Sequence, residues 1–142
     1  MASHIEKLCL EKNIKLTENR KIIAKVISKS TDHPDVEEVY HRASKINNKI
    51  GIATVYRTVK MLEESGIIAK HDFLNKGRAR YEFLENDDHH DHLVDITNDE
   101  VIEFFNEEIE KLKEKIAHDH GYELIGHKLE LYCRPIVKKK LN

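Results

Sequence analysis

The stretch GIATVYRTVKMLEESGIIAKH, residues 51–71, decides the fold of the N-terminal half of this 142-residue chain. Val55, Val59 and Leu62 recur at helical spacing, which predicts a helix from about Ala53 to Ser65. Strand-forming residues follow this helix directly. A helix that ends at the start of a β-patterned run is typical of a helix-turn-helix followed by a hairpin.

The elements on either side complete this pattern. Two strand-like runs, Ile67–Leu74 and Arg80–Leu84, are separated by turn residues at 75–77, which predicts a hairpin. Three more helices are expected before residue 51, because a capping side chain precedes each apolar stripe. The capping residues are Ser3, Thr17 and Asp35. The third and fourth helices and the hairpin therefore predict a winged helix-turn-helix over residues 1–84.

A polar segment at 85–88 is the predicted hinge, and residues 89–142 form the second domain. The expected elements there are strands at His90–Thr97 and Val101–Phe105, a helix at Asn106–His120 and a last strand at Tyr122–Arg134. About 55 residues bury too little surface to be stable alone, so pairing with a second copy of the chain is expected. The predicted fold class is α+β, with an N-terminal winged helix-turn-helix followed by a small α/β dimerisation domain.

The net charge of −2 hides opposite charges in the two halves. Residues 1–84 contain 16 Lys and Arg against 11 Asp and Glu, whereas residues 85–142 contain 8 against 15 and six of the ten histidines. A basic half suits a polyanion such as DNA, and an acidic, histidine-rich half suits cations.

Membrane and secreted classes are not expected. No apolar run approaches the roughly 20 residues needed to span a bilayer, and the N-terminus has no signal-like apolar segment. The two cysteines, Cys9 and Cys133, exclude a disulfide-dense scaffold and suit a reducing compartment. The expected location is cytoplasmic, without a membrane partner.

The run His89-His90-Asp91-His92 is the candidate metal-binding segment. Because side chains alternate between the two faces of a strand, His90 and His92 share one face, while His89 and Asp91 share the other. One short strand therefore predicts ligands for two separate sites. A solvated loop with incidental metal affinity is the alternative reading of such a run.

Each pair needs further ligands from other elements. Glu103 on the adjacent strand and Glu82 on the wing are candidates for the His90 and His92 face. Glu110 on the following helix and His127 on the last strand are candidates for the opposite face. These nitrogen and oxygen donors suit Mn(II), Fe(II), Co(II) or Zn(II), and zinc should outcompete iron and manganese in affinity alone.

The fourth helix also carries the candidate DNA-reading residues. With its apolar stripe turned inward, Thr54, Tyr56, Arg57 and Thr58 are expected to be exposed near its N-terminus. Arg57 can form a bidentate pair with guanine, and Tyr56 can contact a thymine methyl group or a phosphate. Lys15 belongs to a basic stretch that can reach the backbone or a narrow minor groove.

Taken together, these motifs resemble the ferric uptake regulator family over essentially the whole chain. The segments that carry the resemblance are residues 51–58, 89–92, 101–104 and 121–127. The resemblance implies a homodimer whose winged helices bind a palindromic AT-rich operator in double-stranded DNA. It also implies Lys15 at the minor groove and Tyr56 with Arg57 in the major groove.

The resemblance further implies two ligand sets. The regulatory site consists of His33, Glu82, His90, His92 and Glu103, and the second site consists of His89, Asp91, Glu110 and His127. His33 lies in the loop before the third helix, so the regulatory site would join the two domains.

Two departures from the family pattern bear on its chemistry. Many relatives carry a CxxC pair after the histidine run that helps to hold a structural zinc ion, but these positions are Asp95 and Asn98 here. The chain thus resembles the cysteine-poor branch, without that zinc site. Glu rather than Asp at positions 82 and 103 departs from the peroxide-sensing branch.

The expected function is a metal-dependent transcriptional repressor of metal-uptake genes that binds its operator when loaded with Fe(II) or Mn(II). Zn(II) is expected to be able to occupy the sites. The alternatives are a zinc-responsive regulator, a metal-dependent hydrolase and a metal-buffering protein. No dedicated general base is evident in the sequence, so neither an enzyme nor a small organic substrate is expected.

Overall fold

A computed structural model describes residues 3–73, 78–84 and 90–137 of the chain. The chain divides into two compact units, Met1–Asp88 and His89–Asn142, which are called here the first and second units. The predicted hinge at 85–88 and the predicted turn at 75–77 lie outside the described residues. Within these described ranges, five helices and two small sheets confirm the predicted α+β class.

Four helices form most of the first unit: α1 (His4–Glu11), α2 (Glu18–Lys29), α3 (Val36–Ile46) and α4 (Ile52–Glu64). Three begin at the predicted capping residues, since Ser3, Thr17 and Asp35 each accept a hydrogen bond from the backbone N–H three residues later. Such caps satisfy N–H groups that lack partners within the helix. Gly66 follows α4 with a φ of 73°, the left-handed conformation that ends many helices.

The helices pack around one apolar core, to which α4 contributes its predicted stripe. Val55, Val59 and Leu62 are buried, at 2% exposure or less. Thr58 was expected on the DNA-reading face, but that expectation is wrong. Its side chain is fully buried, and its hydroxyl donates to the carbonyl oxygen of Thr54, 2.7 Å away. A threonine can turn inward in this way because the preceding turn of the helix satisfies its hydroxyl group.

A hairpin completes the first unit, with antiparallel strands β1 (Ile68–His71) and β2 (Arg80–Phe83). The pairing register sets Ala69 opposite Glu82 and His71 opposite Arg80. The start of β2 also contacts the loop before α3, where the Tyr81 N–H donates to the carbonyl oxygen of Pro34 at 3.0 Å. The hairpin therefore holds the loop that contains His33.

The second unit contains β3 (Asp91–Asp95), β4 (Glu100–Phe104), α5 (Glu107–Asp119) and β5 (Glu130–Cys133). The sheet order is β4-β3-β5, with β3 antiparallel to β4 and parallel to β5. The predicted last strand, Tyr122–Arg134, is too long, because only Glu130–Cys133 pairs with β3. An alternating sequence becomes a strand only where a neighbour accepts its hydrogen bonds, and β3 has five residues.

Helix α5 has no buried residue along its length. Leu112 and Ile116, on its predicted apolar face, are more than half exposed. Across the described residues, no helix has both the length and the apolar character needed to cross a bilayer.

Candidate metal centres and nucleic-acid interface

The first cluster of candidate ligands in the first unit is built around the carboxylate of Glu82. Its Oε2 atom lies 2.9 Å from His33 Nε2 and 3.1 Å from His71 Nε2. His33 and Glu82 are buried, at 2% and 8% exposure. Imidazole nitrogens and carboxylate oxygens at these separations can share one divalent ion, whose bonds to such atoms are about 2.0–2.2 Å long for zinc. The structure thus brings together both predicted ligands of this unit.

Sequence reasoning missed His71. On β1 it lies two residues beyond Ala69, the partner of Glu82, so the two side chains are diagonal neighbours on one face of the hairpin. Its ring stacks on Phe73, with centroids 4.6 Å apart and an interplanar angle of 17°. The hairpin register could have identified this residue, since histidine is the commonest metal ligand among side chains.

The loop that carries His33 is fixed by a buried arginine. His33 has a φ of 53°, in the left-handed region that costs a non-glycine residue about 1–3 kcal/mol. Arg80 Nε donates to the His33 carbonyl oxygen at 2.7 Å, and Arg80 Nη2 donates to the Asp32 carbonyl oxygen at 2.6 Å. These charge-assisted bonds hold the loop in its strained conformation and orient the imidazole toward Glu82.

A second arginine holds the same loop from α3. Arg42 forms a two-pronged ion pair with the Asp32 carboxylate, at 2.9 and 2.5 Å, and also donates to Glu38 at 2.9 Å. The hydrogen bonds from Arg42 hold the pKa of Asp32 below its ordinary value, and the same pairing raises the pKa of Arg42. The candidate ligand His33 is thus connected through its own loop to the helix that precedes α4.

In the second unit, His90, His92 and Glu103 lie together at one side of the β3–β4 pair. His92 and Glu103 are paired in the antiparallel register, and His90 Nε2 lies 3.6 Å from Glu103 Oε1. The rings of His90 and His92 have centroids 5.0 Å apart, edge to face. The three predicted ligands of this face are therefore neighbours, all with nitrogen or oxygen donors.

The other side of β3 carries the second cluster, formed by Asp91, Glu110 and His127. His127 Nε2 lies 3.1 Å from Asp91 Oδ1 and 3.8 Å from Glu110 Oε1. Asp91 is almost fully buried, at 1% exposure. Three donor atoms so close together match the ligand set of a divalent ion. His89, the fourth predicted ligand, lies outside the described residues.

A lysine that sequence reasoning missed also contacts this cluster. Lys113 Nζ lies 2.8 Å from Glu110 Oε1 and 4.0 Å from Asp91 Oδ2, and it is hydrogen-bonded to His127 Nε2. Lys113 is one helical turn beyond Glu110 on α5, a spacing that places both side chains on the same face. Helical spacing alone could have identified it once Glu110 was a candidate.

Hydrogen bonds hold the turn between β3 and β4, at the positions for which the family resemblance implies a CxxC pair. Asp95 Oδ2 accepts from the Asn98 side-chain amide at 2.9 Å, while Asp95 Oδ1 accepts from the backbone N–H of Thr97 at 2.9 Å. The hydrogen bonds from Asn98 and Thr97 hold the pKa of Asp95 below its ordinary value. A carboxylate and an amide thus occupy positions 95 and 98 and bond to each other.

The predicted DNA-reading side chains lie on the exposed side of α4. Tyr56 is 54% exposed, Arg57 is exposed and Thr54 is half-buried, with Arg57 Nη2 3.5 Å from Thr54 Oγ1. A groove of about 550 Å³ beside the helix is lined partly by Tyr56, Arg57 and Lys70. Lys15 is exposed in the segment before α2. Cationic and aromatic side chains at one helix surface provide contacts for both phosphates and base edges.

Comparison with known proteins matches this architecture. The model of the ferric uptake regulator family matches residues 11–132. A ferric uptake regulation protein from Rhizobium leguminosarum bv. viciae is 51% identical over 141 residues, which are 99% of this chain and 98% of that protein.

Solved structures show the same similarity. A zinc-bound manganese uptake regulator superimposes with a TM-score of 0.79 at 51% identity, covering 94% of this chain and 100% of that chain. A ferric uptake regulator from Pseudomonas aeruginosa with manganese gives a TM-score of 0.77 at 33% identity, covering 91% and 96% of the two chains.

Proposed function

The chain belongs to the ferric uptake regulator family, and on this premise we propose that it is a metal-dependent repressor of metal-uptake genes. Members of the family are regulators of metal uptake and not enzymes, which confirms that expectation and removes the hydrolase alternative. In the proposal, a homodimer loaded with Fe(II) or Mn(II) binds a palindromic AT-rich operator in the cytoplasm, where it meets double-stranded DNA.

The observation that carries this proposal is that the imidazoles of His33 and His71 both bond to the carboxylate of Glu82. The hairpin that contains Glu82 is also hydrogen-bonded to the loop before α3. Any change in the ligation of His33 acts on a loop that Arg80 and Arg42 connect to β2 and α3. Helix α3 is in turn the partner of α4 in the helix-turn-helix. Charged hydrogen bonds thereby connect the His33 loop to α3, and the apolar core connects α3 to the DNA-reading helix α4 within the same unit.

The proposed mechanism uses both units. His33 and Glu82 of the first unit bind the same ion as His90, His92 and Glu103 of the second. Shared ligation restricts the freedom of the winged helix and favours the arrangement in which two recognition helices match the half-sites of a duplex. The ion can shift this equilibrium only through its higher affinity for the restricted state.

Operator recognition is assigned to the exposed part of the first unit. Arg57 and Tyr56 read base edges in the major groove, Thr54 supports Arg57 near the N-terminus of α4, and Lys15 contacts the minor groove or backbone. The 16 cationic against 11 anionic side chains of residues 1–84 favour the approach of this half to DNA.

The homodimer is supported by the apolar surface of the second unit. Phe105, Leu112, Ile116 and Tyr122 are each more than half exposed, on a unit whose helix has no buried residue. Covering apolar side chains contributes roughly 25 cal/mol per Å² of area removed from water. A second copy would supply the burial that one small sheet and one helix lack.

The ligand atoms of the proposed regulatory site do not by themselves select one divalent metal. Imidazole and carboxylate ligands accept Fe(II), Mn(II) and Zn(II) alike, and relatives carry manganese or zinc in their names. We assign Fe(II) or Mn(II) as co-repressor, and Zn(II) as an ion able to occupy the sites, because metal availability and not affinity alone decides which ion a nitrogen and oxygen site holds. A zinc-responsive regulator is the second candidate, favoured by the similarity to a zinc-bound structure.

Gel-shift titration of an operator fragment with Mn(II), Fe(II) and Zn(II) tests this function, using His33→Ala and His92→Ala. Each variant is expected to lose metal-dependent binding. His41→Ala is the matched control, because His41 is an exposed histidine on α3. If operator binding by both variants still depends on metal as in the unaltered protein, the proposed mechanism is wrong. If the unaltered protein binds metal but not the operator, the metal-buffering alternative is favoured.

A further inference from the structure

The ammonium group of Lys113 lies among the three candidate metal ligands of the second cluster. Its ammonium nitrogen is hydrogen-bonded to Glu110 Oε1 at 2.8 Å and to His127 Nε2, and it lies 4.0 Å from Asp91 Oδ2. These three side chains are the ones whose donor atoms match a divalent ion. The lysine side chain is 19% exposed, so most of it is packed within the unit.

The buried carboxylate of Asp91 explains why a cation is needed there. A buried charge is costly unless it is paired and hydrogen-bonded. Lys113 places a permanent positive charge 2.8 Å from Glu110 Oε1 and 4.0 Å from Asp91 Oδ2. The imidazole nitrogen of His127 lies 3.1 Å from the other oxygen of Asp91. Lys113 therefore supplies one positive charge against the two carboxylates of the cluster from within the chain itself.

An ammonium group and a metal ion compete for the same atoms. The ammonium group has three N–H donors and no lone pair, so it cannot become a ligand. An ion bound by Asp91, Glu110 and His127 would sit where these N–H groups point, and its charge would repel the lysine. Lys113 must move away and give up its bonds before a second ion can bind.

We propose that Lys113 is the internal counter-ion of the second cluster and lowers its affinity for divalent metal, so that one regulatory ion per chain suffices. This inference rests on the proposed metal-regulated function, which assigns that ion to the cluster around Glu82. The second cluster then supports the fold of the second unit without a metal ion.

The test measures Mn(II) binding to the full-length protein by equilibrium dialysis and calorimetry, without DNA. In a His33→Ala background, which weakens the regulatory site, Lys113→Met is expected to bind one Mn(II) per chain at least about tenfold more tightly than the same background with Lys113, the factor for one charge-assisted hydrogen bond. Lys113→Arg keeps the charge and is expected to behave like Lys113.

Lys111→Met is the matched control, because it removes one positive charge from the same helix at a side chain that is 76% exposed. Its Mn(II) affinity should change less than threefold. Lys113→Gln repeats the test if the methionine variant is poorly folded, as judged by circular dichroism. Co(II) absorption spectra add a second readout, since Lys113→Met and Lys113→Gln should gain absorption bands that Lys113→Arg and Lys111→Met lack.

Equal Mn(II) affinity with Lys113 and with Met or Gln at this position would overturn the inference, as would tight binding of two ions by the unaltered protein. Neither result bears on the proposed function, which fails instead if His33→Ala leaves metal-dependent operator binding unchanged.

Discussion

The two carboxylate clusters differ in the group that stands beside the acid. In the hairpin, Glu82 is bonded to the imidazoles of His33 and His71. In the second unit, the carboxylate of Asp91 lies 3.1 Å from the imidazole of His127 and 4.0 Å from the ammonium group of Lys113. An imidazole nitrogen can exchange a hydrogen bond for a metal bond, whereas an ammonium group can only leave. Two clusters with similar donor atoms can therefore differ in their affinity for a divalent ion, because a lysine lies beside the carboxylates of the second cluster.

The largest effect is expected at the acid that both imidazoles share. Glu82→Gln keeps the size of the side chain and removes its charge, so metal affinity in the operator gel shift should fall by about 100-fold or more, the upper end for loss of a partner in a metal site. Glu64→Gln, at an exposed glutamate of α4, is the control. A change below threefold in Glu82→Gln would remove the contrast between the clusters.

The second cluster should show its importance in stability without metal. Asp91→Asn leaves Lys113 and His127 without their buried carboxylate, and the free energy of unfolding should fall by about 2 kcal/mol. Urea denaturation with a chelator measures this value. Adding Lys113→Met should restore part of the loss, because the two groups interact, whereas strictly additive losses would show that they do not.

The clamp on the His33 loop should matter less than the ligand itself. Arg80→Met removes the two bonds to backbone carbonyl oxygens, so metal affinity at the regulatory site should weaken by about tenfold. Arg80→Lys should recover part of it. Arg78→Met is the control, because Arg78 is mostly exposed and bonds to Asp35 instead. Equal effects of Arg78→Met and Arg80→Met would contradict a specific role of the clamp.

The smallest effect concerns the β3–β4 turn, which supports the second unit independently of either cluster. Asn98→Ala removes a hydrogen bond that lowers the pKa of Asp95, so that pKa should move back toward its ordinary value. The stabilisation is present above the ordinary carboxyl pKa and is lost as pH falls through the lowered one. Carbon NMR titration of Asp95 checks the shift, and an unchanged titration curve would refute it.

Much of the fold followed from local patterns. The caps at Ser3, Thr17 and Asp35 and the stripe of α4 are local features, so the sequence was sufficient to predict them. Thr58 and the long last strand were mispredicted because burial and strand pairing depend on tertiary neighbours. An alternating pattern describes what a strand could be, but only its partner decides where it starts and ends.

The clusters were predictable where strand alternation applied and not where loop or helix packing decided. The separation of His90 and His92 from Asp91 follows from the period of a strand. His71, Lys113 and Arg80 were missed because a hairpin register, a helix face and a loop conformation brought them to the ligands. A sequence pattern can identify candidate metal ligands, but it does not identify the neighbouring side chains that position those ligands or compete with the ion.

The turn formed by Asp95 and Asn98 has a consequence for how the protein is made. Its bonds join residues no more than three apart, so they close locally and early, as short turns do. Thiolates brought together from distant parts of the chain would require a delivered ion before the sheet could settle. A regulator that must report the shortage of a metal can thus complete this part of its folding during that shortage.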